Sequence, residues 1–157
     1  MKEGELFIRK IGKYKIFLNE NDPGISITLK KSKFFKKWHR EPEFMDIMIN
    51  SINKGDHICD LGANIGYATL SMMEKIGSDG SITAIEPSPT NFDMLKKTIN
   101  INKIDNQVEC LQLAISDREG EIDFYLSNES NLHSISKTPS SKKIIKVKST
   151  SIDNLFK

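Results

Sequence analysis

The chain has 157 residues, of which 38% are hydrophobic and 28% are charged, and its formal net charge is +2 at pH 7. This length allows one domain with a buried core, and the composition is that of a soluble globular protein. A net charge so close to zero does not favour nucleic acid as a partner of the whole molecule. No apolar run is long enough to span a bilayer, and the N-terminal residues lack the apolar core of a signal peptide, so we predict a cytoplasmic protein.

Residues 1–40 are predicted to form a small N-terminal unit. Three segments rich in β-branched and aromatic residues, ELFIRK, KYKIFL and ISITLK, predict a β-meander, with a turn at residues 21–24 before the last. A basic segment, Lys30–Arg40, follows and contains Phe34, Phe35 and Trp38. We expect a solvated face whose aromatic side chains pack inward; the alternative is a site for nucleic acid or an acidic glycan.

From residue 41 onwards, predicted strands and helices alternate. Pro42 begins a helix, because its ring fits a first helical turn. Three apolar segments then predict strands: HICDL, SITAIE and VECLQLAI. Helices are predicted between them, over Ile65–Ile76 and after the Ser88-Pro89 pair. This order indicates an α/β fold with a parallel, Rossmann-like sheet over residues 41–157. Near its end, EIDFYLS and IIKVKST predict an antiparallel hairpin around a long polar loop.

The sequence DLGANIGY, residues 60–67, places a carboxylate where the first of these strands ends and a glycine turn begins. The dinucleotide fingerprint G-x-G-x-x-G does not fit here, because Gly62 and Gly66 are separated by three residues. Asp60 would repel a pyrophosphate and favour a cationic group. The pattern therefore predicts a nucleoside-like ligand with an ammonium group. S-adenosylmethionine fits, with its ammonium on Asp60 and its carboxylate at the start of the next helix.

Glu86 ends the second strand, at about the distance from the glycine turn where a ribose-binding acid follows. A carboxylate can accept two hydrogen bonds from a ribose diol. The order of these features indicates such a cofactor site more strongly than one motif alone. They are a strand, an acid, a glycine turn, a helix, a second strand and a second acid. The simpler interpretations are that Asp60 only caps the next helix and that Glu86 is a solvated strand end.

The segments that carry these motifs resemble the FkbM-type family of S-adenosylmethionine-dependent methyltransferases, which have the Rossmann-like class I fold. Two hallmark motifs of that family stand intact: D-x-G-A-N-x-G at Asp60–Gly66 and E-P-x-P at Glu86–Pro89. The flanking segments EPEFMDIMINSINKGD and STSIDNLF also resemble family segments, so the resemblance extends from Trp38 to the C-terminus. It implies methyl transfer to an oxygen nucleophile by in-line attack on a sulfonium, in a site that positions its reactants.

The resemblance also implies which residues bind the cofactor. The methionine end would lie against Asp60, Gly62, Ala63, Asn64, Gly66 and Tyr67. Glu86 would hold the ribose, and Pro87 and Ser88 would lie near the adenine. The polar loop residues Asn131–Ser134 are a further candidate, because similar loops in the family lie near the cofactor. His133 is otherwise interpreted as a surface histidine. No catalytic base is assigned, and no metal site is predicted, because the histidines and the two cysteines lack metal-ligand spacing.

The family continues beyond the IDNLF segment into a fourth parallel strand, so the resemblance implies that the chain holds one half of the sheet, with strand order 3-2-1. We expect the acceptor site to depend on the other half, and this chain alone to have little activity. The HICDL strand would then have an open apolar edge, which favours self-association or a partner. In this order Cys59 and Cys110 are about 9.5 Å apart. A disulfide requires less than about 7 Å, so we predict free thiols.

Two other classes of function remain open. The chain could be a non-catalytic binding module that uses the open sheet edge or the Lys30–Arg40 segment. It could also be a nicotinamide-dependent oxidoreductase, although the missing G-x-G-x-x-G argues against that class. The sequence does not identify the methyl acceptor: a glycan, a lipid, a small natural product and a peptide are all compatible with it.

Overall fold

The protein is described by a computed structural model that covers residues 5–31 and 42–157. Strands β1 (Leu6–Ile11) and β2 (Tyr14–Asn19) form an antiparallel hairpin. Alternate residues of β2 face inward, and Ile16 and Leu18 are fully buried. The first two predicted strands of the N-terminal unit are therefore confirmed.

The third predicted strand of that unit, ISITLK, is wrong, because these residues begin helix α1 (Ile25–Lys31). Its β-branched residues indicated a strand, but the Asp22 carboxylate accepts hydrogen bonds from the N–H groups of Gly24 and Ser26, both at 3.0 Å. These bonds satisfy backbone donors at the start of a helix. Of the Lys30–Arg40 segment, only Lys30 and Lys31 lie within the described residues, so its predicted role stays a prediction.

The parallel sheet has the predicted order. After helix α2 (Pro42–Asn50), three strands alternate with two helices: β3 (His57–Leu61), α3 (Tyr67–Ile76), β4 (Ser81–Ile85), α4 (Pro89–Asn102) and β5 (Val108–Leu111). The strands are ordered β3-β4-β5 with both pairs parallel, so β4 lies in the middle. The α/β, Rossmann-like half-sheet is therefore confirmed, and its three strands end at one edge.

A second sheet follows the first. The VECLQLAI segment is not one strand as predicted, because it divides into β5 and a short strand, β6 (Ala114–Ile115). Strands β7 (Gly120–Leu126) and β8 (Lys143–Thr150) form the predicted antiparallel hairpin, and β6 adds to β8 in parallel, which gives the order β6-β8-β7. A short helix, α5 (Ile152–Leu155), ends the described structure.

The N-terminal hairpin shares one hydrophobic core with the parallel sheet and its helices. Hydrogen bonds connect the hairpin to α4. The Phe17 N–H donates to Thr98 Oγ1 at 3.2 Å. The Lys15 N–H donates to Asn102 Oδ1, and the Lys15 carbonyl accepts from Asn102 Nδ2. The predicted boundary near residue 40 stays a prediction. Cys59 and Cys110 are free thiols, as predicted. No helix within the described ranges is long and apolar enough to cross a membrane.

Candidate functional site

Two clefts open beside the edge where the parallel strands end. The first, of about 380 Å³, lies between the ends of β3 and β4 and the second sheet, and its walls include Glu86, Ala114 and Phe124. The second, of about 530 Å³, lies toward the N-terminal side of α3, with Ile25, Phe44 and Tyr67 among its walls. Gly62, Asn64 and Asn131 line both clefts. The glycine turn and one loop residue therefore separate two adjoining spaces.

The glycine turn between β3 and α3 is held against the end of β4. The N–H groups of Gly62 and Ala63 both donate to the Ile85 carbonyl at 2.9 Å. Gly62, Asn64 and Gly66 all have positive φ angles, of 80°, 53° and 94°. Glycine, and to a lesser degree asparagine, adopts this region without large strain. The D-x-G-A-N-x-G spacing therefore places flexible residues at the three backbone positions that need them.

Glu86, directly after β4, is only 4% exposed and lines the first cleft. Its carboxylate accepts hydrogen bonds from the backbone N–H groups of Asn64 and Ser88, both at 2.9 Å, and from Asn91 Nδ2 at 3.5 Å. Burial is the largest influence and raises the pKa of Glu86 to about 7. A ligand that donates further hydrogen bonds would favour the charged carboxylate. The interpretation of Glu86 as a solvated strand end is therefore wrong.

Asp60 lies beneath the glycine turn and lines neither cleft. Its Oδ2 accepts a hydrogen bond from the hydroxyl of Thr69, in the first turn of α3, at 2.6 Å. Burial raises the pKa of Asp60, and the bond from Thr69 opposes that rise. Asp60 therefore fastens the end of β3 to α3. Its direct contact with a ligand ammonium stays a prediction.

The other predicted residues divide between the two clefts and the turn behind them. Pro87 lines the first cleft, and Ala63 and Tyr67 line the second. Gly66 and Ser88 line neither. A Cβ on Gly66 would approach Leu95 Cδ1 at 3.0 Å, so this glycine permits close packing of the turn on α4. Ser88 is the N-cap residue of α4, as predicted, although its side chain makes no capping bond.

A buried contact that the sequence did not predict joins the N-terminal region to this site. The N–H and hydroxyl of Ser130 donate to Asp22 at 3.0 and 2.9 Å, and Asp22 is 2% exposed. The Ser130 carbonyl accepts from the side-chain amides of Asn64 and Asn91, at 3.1 and 3.2 Å. Burial would raise the pKa of Asp22, but hydrogen bonds from Ser26 and Ser130 lower it overall. In the sequence, only the predicted turn that contains Asp22 and Gly24 pointed to a special role for this region.

The polar loop that follows Ser130 reaches the first cleft. Asn131, His133 and Ser134, three of the four candidate loop residues, line it. His133 Nδ1 accepts a hydrogen bond from the Ser127 N–H at 3.0 Å, and its ring meets Phe124 edge to face. Burial lowers the pKa of His133. His133 is therefore half-buried and lines a cleft, and its role toward a ligand stays a prediction. Across residues 5–31 and 42–157, no three His, Cys, Asp or Glu side chains cluster as metal ligands would.

Comparisons with known proteins agree with this fold. The family model described as the TRM5/TYW2 methyltransferase domain matches residues 18–146. The structure is similar to that of M. jannaschii TYW2 in complex with AdoMet, with a TM-score of 0.52, 22% identity, and 76% of this chain and 48% of that chain covered. For P. horikoshii TYW2 in complex with MeSAdo, the TM-score is 0.50, identity is 21%, and coverage is 74% of this chain and 39% of that one.

A curated relative matches a shorter segment. Methyltransferase sdnD of Sordaria araneosa is 32% identical over 74 residues, which is 47% of this chain and 28% of the relative. The chain therefore spans less than a third of that relative and less than half of each of the two TYW2 structures.

Proposed function

Because this chain belongs to the TRM5/TYW2 methyltransferase domain family, we propose that it binds S-adenosylmethionine in the first cleft and takes part in methyl transfer. The observation that carries the proposal is Glu86, a buried carboxylate at the carboxyl end of the middle strand, facing a cleft of about 380 Å³. That volume is within the range of small-molecule sites. A Cβ on Gly62 would meet no atom within 4 Å, so there is open space beside the turn.

In this proposal each end of the cofactor meets a different part of the site. The ribose hydroxyls donate to Glu86, with Pro87 toward the adenine, and Ser88 holds the Glu86 carboxylate through its backbone N–H. The methionine end lies along the turn at Gly62 and Asn64, which line both clefts, and reaches Ala63 and Tyr67 in the second cleft. Gly66 shapes this turn by packing on α4. Asp60 attracts the ammonium from behind the turn and holds α3 in place through Thr69. When bound, the cofactor supplies a methyl group activated by its sulfonium; the protein orients that group and excludes water around it.

Isothermal titration calorimetry tests this proposal. S-adenosylmethionine and S-adenosylhomocysteine should both bind the wild-type chain, whereas NAD⁺ should not. Glu86→Ala should weaken the binding of both ligands by about tenfold or more, since the ribose would lose a charged hydrogen-bond acceptor. Glu109→Ala, on an exposed position of β5, is the matched control and should leave affinity unchanged. Binding of NAD⁺ in place of the sulfonium ligand would favour the oxidoreductase class and overturn the proposal.

We propose an oxygen nucleophile as the methyl acceptor, which is supported by the resemblance of both motifs to the FkbM-type family. The second cleft adjoins the cofactor cleft at the glycine turn and has largely apolar walls, including Phe44, Met45 and Leu132. Desolvation on entering this cleft would therefore cost an uncharged acceptor much less than a charged one. The assay is transfer of a labelled methyl group to a panel of hydroxylated small molecules, glycans and lipids, with the chain and with a version extended to a full sheet.

A base of tRNA is the second candidate acceptor, and membership of the TRM5/TYW2 domain family supports it. Phe44 lines the second cleft and is 59% exposed, so it supplies an aromatic ring on which a base could stack. The same labelled-methyl assay on total tRNA decides between the two. Label in tRNA and in no hydroxylated compound would favour the base, and the reverse would favour the oxygen nucleophile.

A non-catalytic interaction module is the alternative to an enzyme. In the described sheet β3 pairs with β4 alone, and Leu61 at its end is 48% exposed. An unpaired strand edge of this kind accepts another strand. Sedimentation velocity over a range of protein concentrations tests this. A self-associating chain without affinity for S-adenosylmethionine would favour the interaction module.

A further inference from the structure

The loop between β7 and β8 closes the side of the first cleft opposite the parallel sheet, and this inference rests on the proposed binding of S-adenosylmethionine there. His133 lies on that loop and lines the cleft together with Pro87, Ala114 and Phe124. Phe124 and Ala114 are 4% and 2% exposed. The walls around His133 are therefore mostly apolar and suit a flat, uncharged ring, which in S-adenosylmethionine is the adenine.

Hydrogen bonds hold the backbone in place on both sides of His133. Three residues earlier, Ser130 is bound by Asp22 through two hydrogen bonds of 3.0 and 2.9 Å. Immediately after it, Ser134 exchanges both backbone hydrogen bonds with Tyr125 of β7, at 3.0 and 2.8 Å. The backbone of His133 is consequently placed before a ligand arrives, which reduces the entropy lost on binding.

The contact with Ser127 determines which ring nitrogen carries the proton. A backbone N–H can only donate, so His133 Nδ1, at 3.0 Å from the Ser127 nitrogen, must be the acceptor. In a neutral imidazole the proton then lies on Nε2. Within the described part of the chain, Nε2 has no hydrogen-bond partner. The nitrogen left for a ligand is therefore a donor.

This tautomer excludes one role and favours another. A neutral histidine whose Nδ1 lone pair accepts one hydrogen bond and whose Nε2 is protonated has no free lone pair with which to remove a proton from an acceptor, so His133 is not arranged as a general base. It is arranged to donate to an sp² nitrogen. We propose that His133 is a specificity-determining residue that donates a hydrogen bond from Nε2 to a ring nitrogen of the adenine.

Calorimetry with S-adenosylhomocysteine and its 1-deaza, 3-deaza and 7-deaza analogues tests this. Each analogue replaces one ring nitrogen by a carbon, which cannot accept a hydrogen bond. One of the three should bind the wild-type chain about 3- to 10-fold more weakly than S-adenosylhomocysteine, the range for one neutral hydrogen bond. His133→Ala should weaken the binding of S-adenosylhomocysteine by a similar factor. This variant should bind the affected analogue as tightly as it binds S-adenosylhomocysteine itself.

His133→Gln is the conservative variant, because its amide can supply a donor near the position of Nε2, and it should regain much of the lost affinity. Nitrogen-15 NMR of the histidine ring gives an independent reading: Nε2 should be protonated and Nδ1 not. Because the deaza series is also measured on the wild-type chain, a variant that fails to fold leaves the test intact.

Three results would count against the inference. Equal binding of all four ligands by the wild-type chain would overturn it and leave the proposed function standing, as would a proton found on Nδ1. No binding of S-adenosylhomocysteine or S-adenosylmethionine by the wild-type chain would overturn the proposed function and this inference together.

Discussion

The carboxylate of Asp22 accepts hydrogen bonds from both the backbone N–H and the hydroxyl of Ser130, which lies 108 residues later in the chain. The same carboxylate binds the N–H groups of Gly24 and Ser26. One buried side chain thus joins the turn before α1 to the loop that closes the first cleft. Four donors converge on a group that is 2% exposed, so its removal leaves several of them buried and unsatisfied.

Asp22→Ala should lower the free energy of unfolding by about 3 kcal/mol, because each buried donor left without a partner costs about 1–3 kcal/mol. Urea denaturation monitored by circular dichroism gives this value. Glu20→Ala is the matched control: its carboxylate pairs with Lys30 while 42% exposed, so a loss below about 1 kcal/mol is expected. Equal losses for the two variants would show that the Asp22–Ser130 contact contributes little.

Glu86 should make the stability of the free protein decrease as the pH rises from 5 to 8. Its pKa in the folded state, about 7, lies above the reference value of 4.5, so the folded protein holds this proton more tightly than the unfolded chain does. The associated stabilisation is complete below pH 4.5 and is lost as the pH rises through 7, a change of about 3 kcal/mol at most. Glu86→Gln, which cannot ionise, should flatten that part of the profile, whereas Glu109→Gln should not. An unchanged slope in Glu86→Gln would contradict the assignment.

Thr69→Val should weaken the binding of S-adenosylmethionine by about tenfold at pH 7. Thr69 is fully buried, and its hydroxyl lowers the pKa of Asp60 against the effect of burial. Without that bond the charged form of Asp60 is less favoured and its side chain is no longer held in place, so Asp60 attracts the cofactor ammonium less. Calorimetry with S-adenosylmethionine measures the loss. Ser71→Ala is the control on the same helix, since that hydroxyl bonds the Tyr67 carbonyl instead. An equal loss in Ser71→Ala would assign the effect to the packing of α3 and not to the bond between Thr69 and Asp60.

Gly62→Ala and Gly55→Ala form a matched pair that separates backbone strain from occupancy of the cleft. The two glycines have φ angles of 80° and 87°, and a Cβ on either would meet no atom within 4 Å. Both variants should therefore show a similar decrease, about 1–2 kcal/mol, in the free energy of unfolding. Gly62 alone lines the clefts, so cofactor affinity should fall in Gly62→Ala only. A similar loss of affinity in both variants would assign the effect to strain.

The alternation of strands and helices could be predicted from the sequence because its signals are local. Apolar segments such as HICDL and SITAIE are bounded by turn residues, and Pro42 and Pro89 mark helix starts. The position of the candidate site, at the C-terminal ends of the strands, could be predicted from that order, since parallel strands all end on the same side of the sheet. Glu86 was predicted at this edge, directly after β4, and the structure places it there, facing the first cleft.

What the sequence could not decide depended on contacts outside the segment concerned. ISITLK has the composition of a strand, yet the carboxylate of Asp22 and the burial of Ile25 and Leu29, one helical turn apart, make it a helix. VECLQLAI is typical of a single strand, but its last two residues pair with Ser149 and Thr150 of β8, which come 35 positions later. The sequence by itself determined the motifs and the order of elements. Only the tertiary structure decided that Asp22 binds Ser130 and that His133 faces the cleft, because a hydrogen bond across 108 residues leaves no periodic trace in the chain.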